Sequence, residues 1–451
     1  MCYPGVCLSI PFVTSAIHAP DCQPWERVVP PRAPCGTRST QQPGAGIDRP
    51  RTGRKYGFCA GAGRAPRRIF GCAGAALLLA LLVSDAVALP TAPAVREGML
   101  RATDRLLDLD PDGAAVECRA LLALPEGEAS GKFCLSLVTL TRAEDLDDPM
   151  PEIDRFLGQV EEAIAAAGAR ERAQPDAAEV KLLLGLAYGG KALAEGARKN
   201  YLASLQAVRE AQRRFAEALQ LDPNLVDAYY GIGVYDYALS RLPTLVKPLV
   251  GIVLPKGDAT QGLKEIERVA EQGTYLKMTA KMALLRLYAG EEEKYPEALR
   301  YGRELLARYP GNPDVYFATA NVASELGNLQ EALDIARRIG RQMEAGQPHF
   351  GPDLAARYNQ LLGKLYMDHG EYATAVTFFD RATQVPTPPR YRWVTAWAWT
   401  RSGMVFDLEG NRDEALRRYR KAVAVGSEGL ARDLARRYLD TPYRGKNRPP
   451  S

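Results

Sequence analysis

The chain has 451 residues, with 58 Lys and Arg against 54 Asp and Glu and a formal net charge of +4. The basic excess is confined to residues 1–88, which hold 10 basic and 4 acidic residues and leave 48 and 50 in residues 89–451. A nearly neutral chain carries no broad phosphate-binding surface. The composition therefore argues against a nucleic-acid partner.

A basic pair, Arg67-Arg68, precedes a mainly apolar run over residues 69–83 and an Ala-x-Ala sequence that ends at Ala88. This order is typical of a secretory signal peptide, here residues 67–88, cleaved after the last alanine. The run is shorter than the roughly 20 residues that a membrane-spanning helix needs. The sequence thus predicts an exported protein of the periplasm or cell envelope, with an uncleaved membrane anchor at 69–83 as the alternative.

Residues 1–66 have neither helical nor strand periodicity, so we expect them to be disordered or not translated. Six of the eight cysteines lie before residue 73, which leaves Cys118 and Cys134 in the exported part. In an oxidising compartment these two could join adjacent helices through a disulfide. The alternative is that both are small buried hydrophobic residues.

Apolar periodicity predicts an N-terminal helical region over residues 89–176, with four helices in irregular spacing. Its sequence from Leu107 to Pro111 resembles the sequence from Leu219 to Pro223, which closes a later unit. A degenerate repeat is therefore expected to begin in this region.

Between residues 177 and 426 one pattern of about 34 residues recurs. In its clearest copy the small and aromatic positions are Leu362, Gly363, Tyr366, Gly370, Ala375, Phe379 and Ala382. Further copies have their central small residue at Gly185, Gly233, Ala320 and Gly403. This is the signature of the tetratricopeptide repeat (TPR), a pair of helices that cross closely at the small residues. We predict an all-α, TPR-type α-solenoid of stacked antiparallel helix pairs over 177–426, followed by a cap helix and tail over 427–451.

Residues 242–254 interrupt this pattern with an apolar stretch. Prolines 243, 248 and 255 exclude one continuous helix, so we expect an elbow. The sequence from Ala228 to Pro243, together with Gly257-Asp258, resembles the tetratricopeptide repeat protein 39 / inclusion-body clearance family. The resemblance implies a helical-repeat adaptor without catalytic residues.

No motif in the sequence predicts catalysis, a cofactor or a metal. Gly185 to Lys191 has the glycine and lysine spacing of a phosphate-binding loop, but Ala192 stands where the Mg²⁺-binding hydroxyl belongs. Such a loop also follows a strand, whereas this segment has helical periodicity. His349 and His369 have no ligand partners at zinc-binding spacing.

The first helix of each unit is expected to face the concave side of the solenoid. Offsets from the aromatic position predict a partner-binding groove at Tyr230, Tyr237, Phe317, Asn321, Gln360 and Lys364. The alternative is that these aromatic residues form the core and that the elbow or the N-terminal helices fill the groove. The predicted function is an exported, non-enzymatic scaffold that binds a protein or peptide. A lipid or small-ligand carrier that uses residues 242–254, with peripheral membrane contact, is the alternative.

Overall fold

The computed structural model describes residues 92–144, 146–241, 257–427 and 429–445, and all regular structure in these ranges is helical. The predicted signal peptide and the apolar elbow lie outside the described residues. The helices are α1 (Pro93–Leu107), α2 (Pro111–Leu122), α3 (Glu128–Ala143), α4 (Met150–Ala173), α5 (Ala178–Ala197), α6 (Tyr201–Leu221), α7 (Ala228–Ser240), α8 (Ala259–Gln272), α9 (Lys277–Gly290), α10 (Tyr295–Arg308), α11 (Pro313–Glu325), α12 (Leu329–Glu344), α13 (Ala355–Asp368), α14 (Tyr372–Gln384), α15 (Arg392–Leu408), α16 (Arg412–Ala424) and α17 (Leu430–Asp440).

From α5 onward the helices form antiparallel pairs, which confirms the predicted all-α solenoid. Gly327, Gly370 and Gly410 follow the first helix of their units with φ between 75° and 86°. Only glycine adopts this left-handed conformation without strain, so it ends the first helix and lets the chain reverse. Because this glycine ends the first helix, each of these units contains two helices.

Small residues set the distance between the two helices of a pair. A Cβ on Gly363 would lie 2.5 Å from the Phe379 ring, and a Cβ on Gly403 would lie 2.5 Å from the Tyr419 ring. Both rings are fully buried. The aromatic residue of the second helix therefore packs on the bare backbone of the first.

The first helices of successive units also pack directly on one another, as α9 does on α11, α11 on α13, and α13 on α15. In a curved array the layer with the closer spacing lies on the shorter, inner arc. A concave side lined by the first helices stays a prediction.

The N-terminal helices α1–α4 share one hydrophobic core with the repeats. The end of α1 contacts a loop about two hundred residues later: Asp108 Oδ1 accepts a hydrogen bond from the Gly311 amide at 2.7 Å, and Asn312 Nδ2 donates to the Leu107 carbonyl at 2.7 Å. Cys118 of α2 and Cys134 of α3 form a disulfide with their Cα atoms 5.4 Å apart.

Helix α17 covers the last unit. The Arg412 guanidinium donates to the Tyr438 and Leu439 carbonyls at its end, at 2.7 and 2.9 Å, and pairs with Asp407 at 2.9 Å. Within the described ranges, no helix is long and apolar enough to cross a membrane.

Candidate interaction site

The six residues predicted to line the groove are all buried. Tyr230, Tyr237 and Phe317 are at most 1% exposed and belong to the main hydrophobic core. A side chain without exposed surface cannot contact a partner in this conformation. These three aromatic residues therefore do not line an open groove in the way that the sequence predicted. Their burial agrees with the alternative that aromatic residues at helical spacing are core residues. A role in binding stays a prediction.

The other three, Asn321, Gln360 and Lys364, are 3–7% exposed and polar. Asn321 donates to the Phe317 carbonyl of its own helix at 2.8 Å. The buried Nε2 of Gln360 has no hydrogen-bond acceptor within the described chain. Lys364 Nζ lies 3.0 Å from Glu325 Oε1 of the preceding unit. Of these three side chains, Lys364 connects the first helices α11 and α13.

A second ion pair connects the same two helices at their other end. Arg357 of α13 pairs with Asp314 of α11, and its guanidinium lies 4.0 Å from the centroid of the Phe317 ring. Burial raises the pKa of the Asp314 carboxyl. The charge and the hydrogen bond of Arg357, together with the charge of Arg286, outweigh burial and hold this pKa below its usual value. The pair is therefore ionised at neutral pH.

Beside this pair lies a cavity of about 300 Å³, where the N-terminal helices meet the repeats. Its polar wall includes Glu144, Asp314, Asp353, Arg357, Arg390 and Tyr391. Arg390 Nη1 lies 3.7 Å from Asp147, and its Nη2 lies 4.0 Å from Asp353. Both distances exceed those of hydrogen bonds, so the guanidinium retains capacity for another acceptor.

A larger and shallower groove of about 1060 Å³ runs between the second helices α10 and α12. Its charged side chains already have protein partners. Arg303 forms two hydrogen bonds of 2.7 Å with the Glu331 carboxylate, Asp334 pairs with Arg337, and Arg338 donates to the Tyr316 hydroxyl at 3.1 Å. A groove whose charges are already paired offers few free polar groups to a ligand. The smaller cavity is therefore the better candidate.

The resemblance to a phosphate-binding loop is not supported by the structure. Gly185 and Lys191 lie within α5, and Gly185 packs against the Phe215 ring of α6. Lys191 Nζ lies 2.7 Å from Glu161 Oε1. The described residues contain no cluster of His, Cys, Asp or Glu that could hold a metal ion.

Sequence reasoning missed the cavity because its residues lie far apart along the chain. Glu144 follows α3, while Asp353 and Arg390 lie in short connections between repeats. The only local signal was the presence of charged residues in connections that the repeat pattern leaves unspecified. Only the docking of α1–α3 onto the repeats brings them together.

Comparison with known proteins supports the repeat assignment. Two tetratricopeptide-repeat family models match residues 291–348 and 356–386. The first segment spans the three helices α10, α11 and α12, and the second spans the helix pair α13 and α14. The chain therefore contains tetratricopeptide repeats. No curated protein matches it.

Solved structures with a similar arrangement are distant. The Cut9 complex with Hcn1 from the APC/C is 16% identical over 75% of this chain, with a TM-score of 0.36, and the match spans 63% of that chain. The human IFIT1 dimer with m7Gppp-AAAA is 13% identical, covers 81% of this chain and 84% of its own, and has a TM-score of 0.40. YrrB, a TPR protein with an unusual peptide-binding site, is 16% identical over 60% of this chain and 98% of its own, with a TM-score of 0.25. Similarity at this level transfers no function.

Proposed function

We propose that the protein is an exported, non-enzymatic scaffold that binds a protein or peptide partner through its TPR solenoid. Tandem helical repeats generally act as interaction surfaces, because stacking of repeats produces an extended face and needs no catalytic group. The observation that carries the proposal is the cavity between the N-terminal helices and the repeats. Its charges of both signs suit a polar peptide segment better than an apolar ligand.

Three features of the cavity support a peptide. Arg390 has long ion-pair distances on both sides, 3.7 and 4.0 Å, and can donate hydrogen bonds to a closer carbonyl or carboxylate oxygen. Tyr391 presents an aromatic ring beside this guanidinium, at 5.0 Å from its centroid. Arginine and tyrosine, which both line this cavity, are among the residue types that contribute most to protein interfaces.

Site-specific photo-crosslinking tests the proposal in the producing cell. Replacing Tyr391 with p-benzoylphenylalanine keeps an aromatic ring in the cavity and should give a discrete crosslinked protein on irradiation. The matched control places the same probe at Tyr201, which is 57% exposed on α6 and far along the chain from the cavity. Crosslinks only from the control position, or no protein product from position 391, would contradict the proposal.

Export rests on the sequence of residues 67–88 and on the disulfide between Cys118 and Cys134, which suits an oxidising compartment. The carrier alternative depends on residues 242–254, and a crosslinked lipid in place of a protein would favour it. The finer resemblance to the tetratricopeptide repeat protein 39 / inclusion-body clearance family stays a hypothesis about ancestry.

A further inference from the structure

Arg401 lies in α15, the first helix of the last unit, and is only 7% exposed. Its guanidinium carbon lies 4.6 Å from the centroid of the Trp397 ring. Within the part of the chain that the structure describes, no oxygen atom accepts a hydrogen bond from this guanidinium. Arginine is seldom buried without a bonded partner, because removal of its charge from water is costly.

The two carboxylates that face Arg401 are held by another cation. Lys364 Nζ lies 3.0 Å from Glu325 Oε1 and 2.6 Å from Asp368 Oδ2. Asp368 also accepts a hydrogen bond from Ser324 Oγ at 2.9 Å. Desolvation lowers the pKa of Arg401 to about 10, and the charges of Asp368 and Glu325 offset part of this effect. Arg401 therefore stays charged at neutral pH, with its hydrogen-bond donors unused.

The nitrogen atoms of Arg401 are not sealed inside the protein. The fully covered polar atoms that lack a partner include Nε of Arg357 and Nε2 of Gln360 on α13, but no atom of Arg401. Its N–H groups are thus unbonded, and its nitrogen atoms keep some accessible surface. A donor group in this state matches an acceptor supplied by a ligand.

We propose that Arg401 is the anchor of a second binding site, for a ligand that carries a carboxylate. The planar guanidinium forms two parallel hydrogen bonds with a carboxylate, which Trp397 would support by fixing the plane of the guanidinium. A phosphate suits the site less well, because Glu325 and Asp368 already place two negative charges nearby. The carboxylate belongs to an acidic side chain or to a peptide C-terminus, and the experiment separates these two sources.

Thermal unfolding of the full exported chain with three small probes tests the proposal. N-acetylglutamate amide carries only the side-chain carboxylate, N-acetylglutamine carries only the terminal carboxylate, and N-acetylglutamine amide carries neither. At equal ionic strength, and at a concentration about ten times the dissociation constant, a bound probe should raise the melting temperature by about 2 °C over the neutral amide.

Arg401→Met should abolish this carboxylate-dependent rise. Arg412→Met is the matched control: it removes an arginine that is bonded to the cap helix and to Asp407, so it should lower the melting temperature but keep the rise. If Arg401→Met does not fold, Arg401→Lys retains the charge without the planar fork and should reduce the rise. Absence of the rise in the wild-type protein, or its persistence without Arg401, would overturn the proposal. Neither outcome depends on the Tyr391 cavity.

Discussion

The close contact between Gly363 and Phe379 predicts that an added methyl group lowers the stability of the protein at position 363. The same methyl group should raise the stability at an open position of another helix. A Cβ at position 363 would lie 2.5, 2.6 and 3.0 Å from three atoms of the Phe379 ring. Carbon atoms in ordinary contact are about 3.5–4.0 Å apart, so the ring or the helix must move. The ring is fully buried and cannot swing into solvent.

The matched control is Gly158 in α4, where an added Cβ meets no atom within 4 Å. Glycine to alanine in an exposed helix is favourable by about 1 kcal/mol, because alanine loses less conformational entropy. Gly158→Ala should therefore stabilise the protein by roughly this amount. At position 363 the same gain is opposed by an overpacking cost of about 1–3 kcal/mol. A 2.5 Å approach to a closed core lies at the upper end of that range, so Gly363→Ala should destabilise by about 1–2 kcal/mol.

Urea unfolding followed by far-ultraviolet circular dichroism measures both variants. Phe379→Leu removes most of the obstructing ring, so the double variant with Gly363→Ala should show a favourable coupling of about 1 kcal/mol or more. If Gly363→Ala were as stabilising as Gly158→Ala, helices α13 and α14 would not cross at Gly363. The repeat register assigned to this unit would then be wrong.

Three further predictions follow from other parts of the chain. Asp227→Ala should cost about 3 kcal/mol in urea unfolding, because the buried carboxylate accepts from the Tyr275 and Leu276 amides at 2.9 and 2.7 Å, and Asp227→Asn should cost less. Cys134→Ala should cost about 2–4 kcal/mol, and a reductant should lower the stability of the wild type but not of the variant. Cleavage of the predicted signal peptide should make Leu89 the first residue in Edman degradation, and a retained apolar run would contradict cleavage.

The sequence predicted the repeat architecture because each signal is local. Gly370 and Gly410 end their helices through their own backbone conformation, with φ of 86° and 78°. The pairing of Gly363 with Phe379 follows from the repeat spacing, because two residues sixteen apart in an antiparallel helix pair meet at the crossing point. Periodicity and turn chemistry are therefore enough to predict the helices, their pairing and their order along the chain.

The sequence did not determine which polar residues remain available to a ligand. Register placed Phe317 and Lys364 on the concave layer, but their exposure depends on how closely the neighbouring first helices stack, and stacking leaves both buried. Arg401 looks like an ordinary helix residue in the sequence. It becomes a candidate anchor because the two carboxylates that face it form ion pairs with Lys364.

Local sequence thus fixed the helices and their pairing, while tertiary structure alone decided the cavity and the buried charges. The cavity joins Glu144 to Arg390 across more than two hundred residues, and nothing in the local pattern of either segment specifies the other. The docking of α1 on the loop at Gly311 creates this junction. Short-range rules act through backbone conformation, whereas charge pairing and exposure depend on every surface that packs nearby.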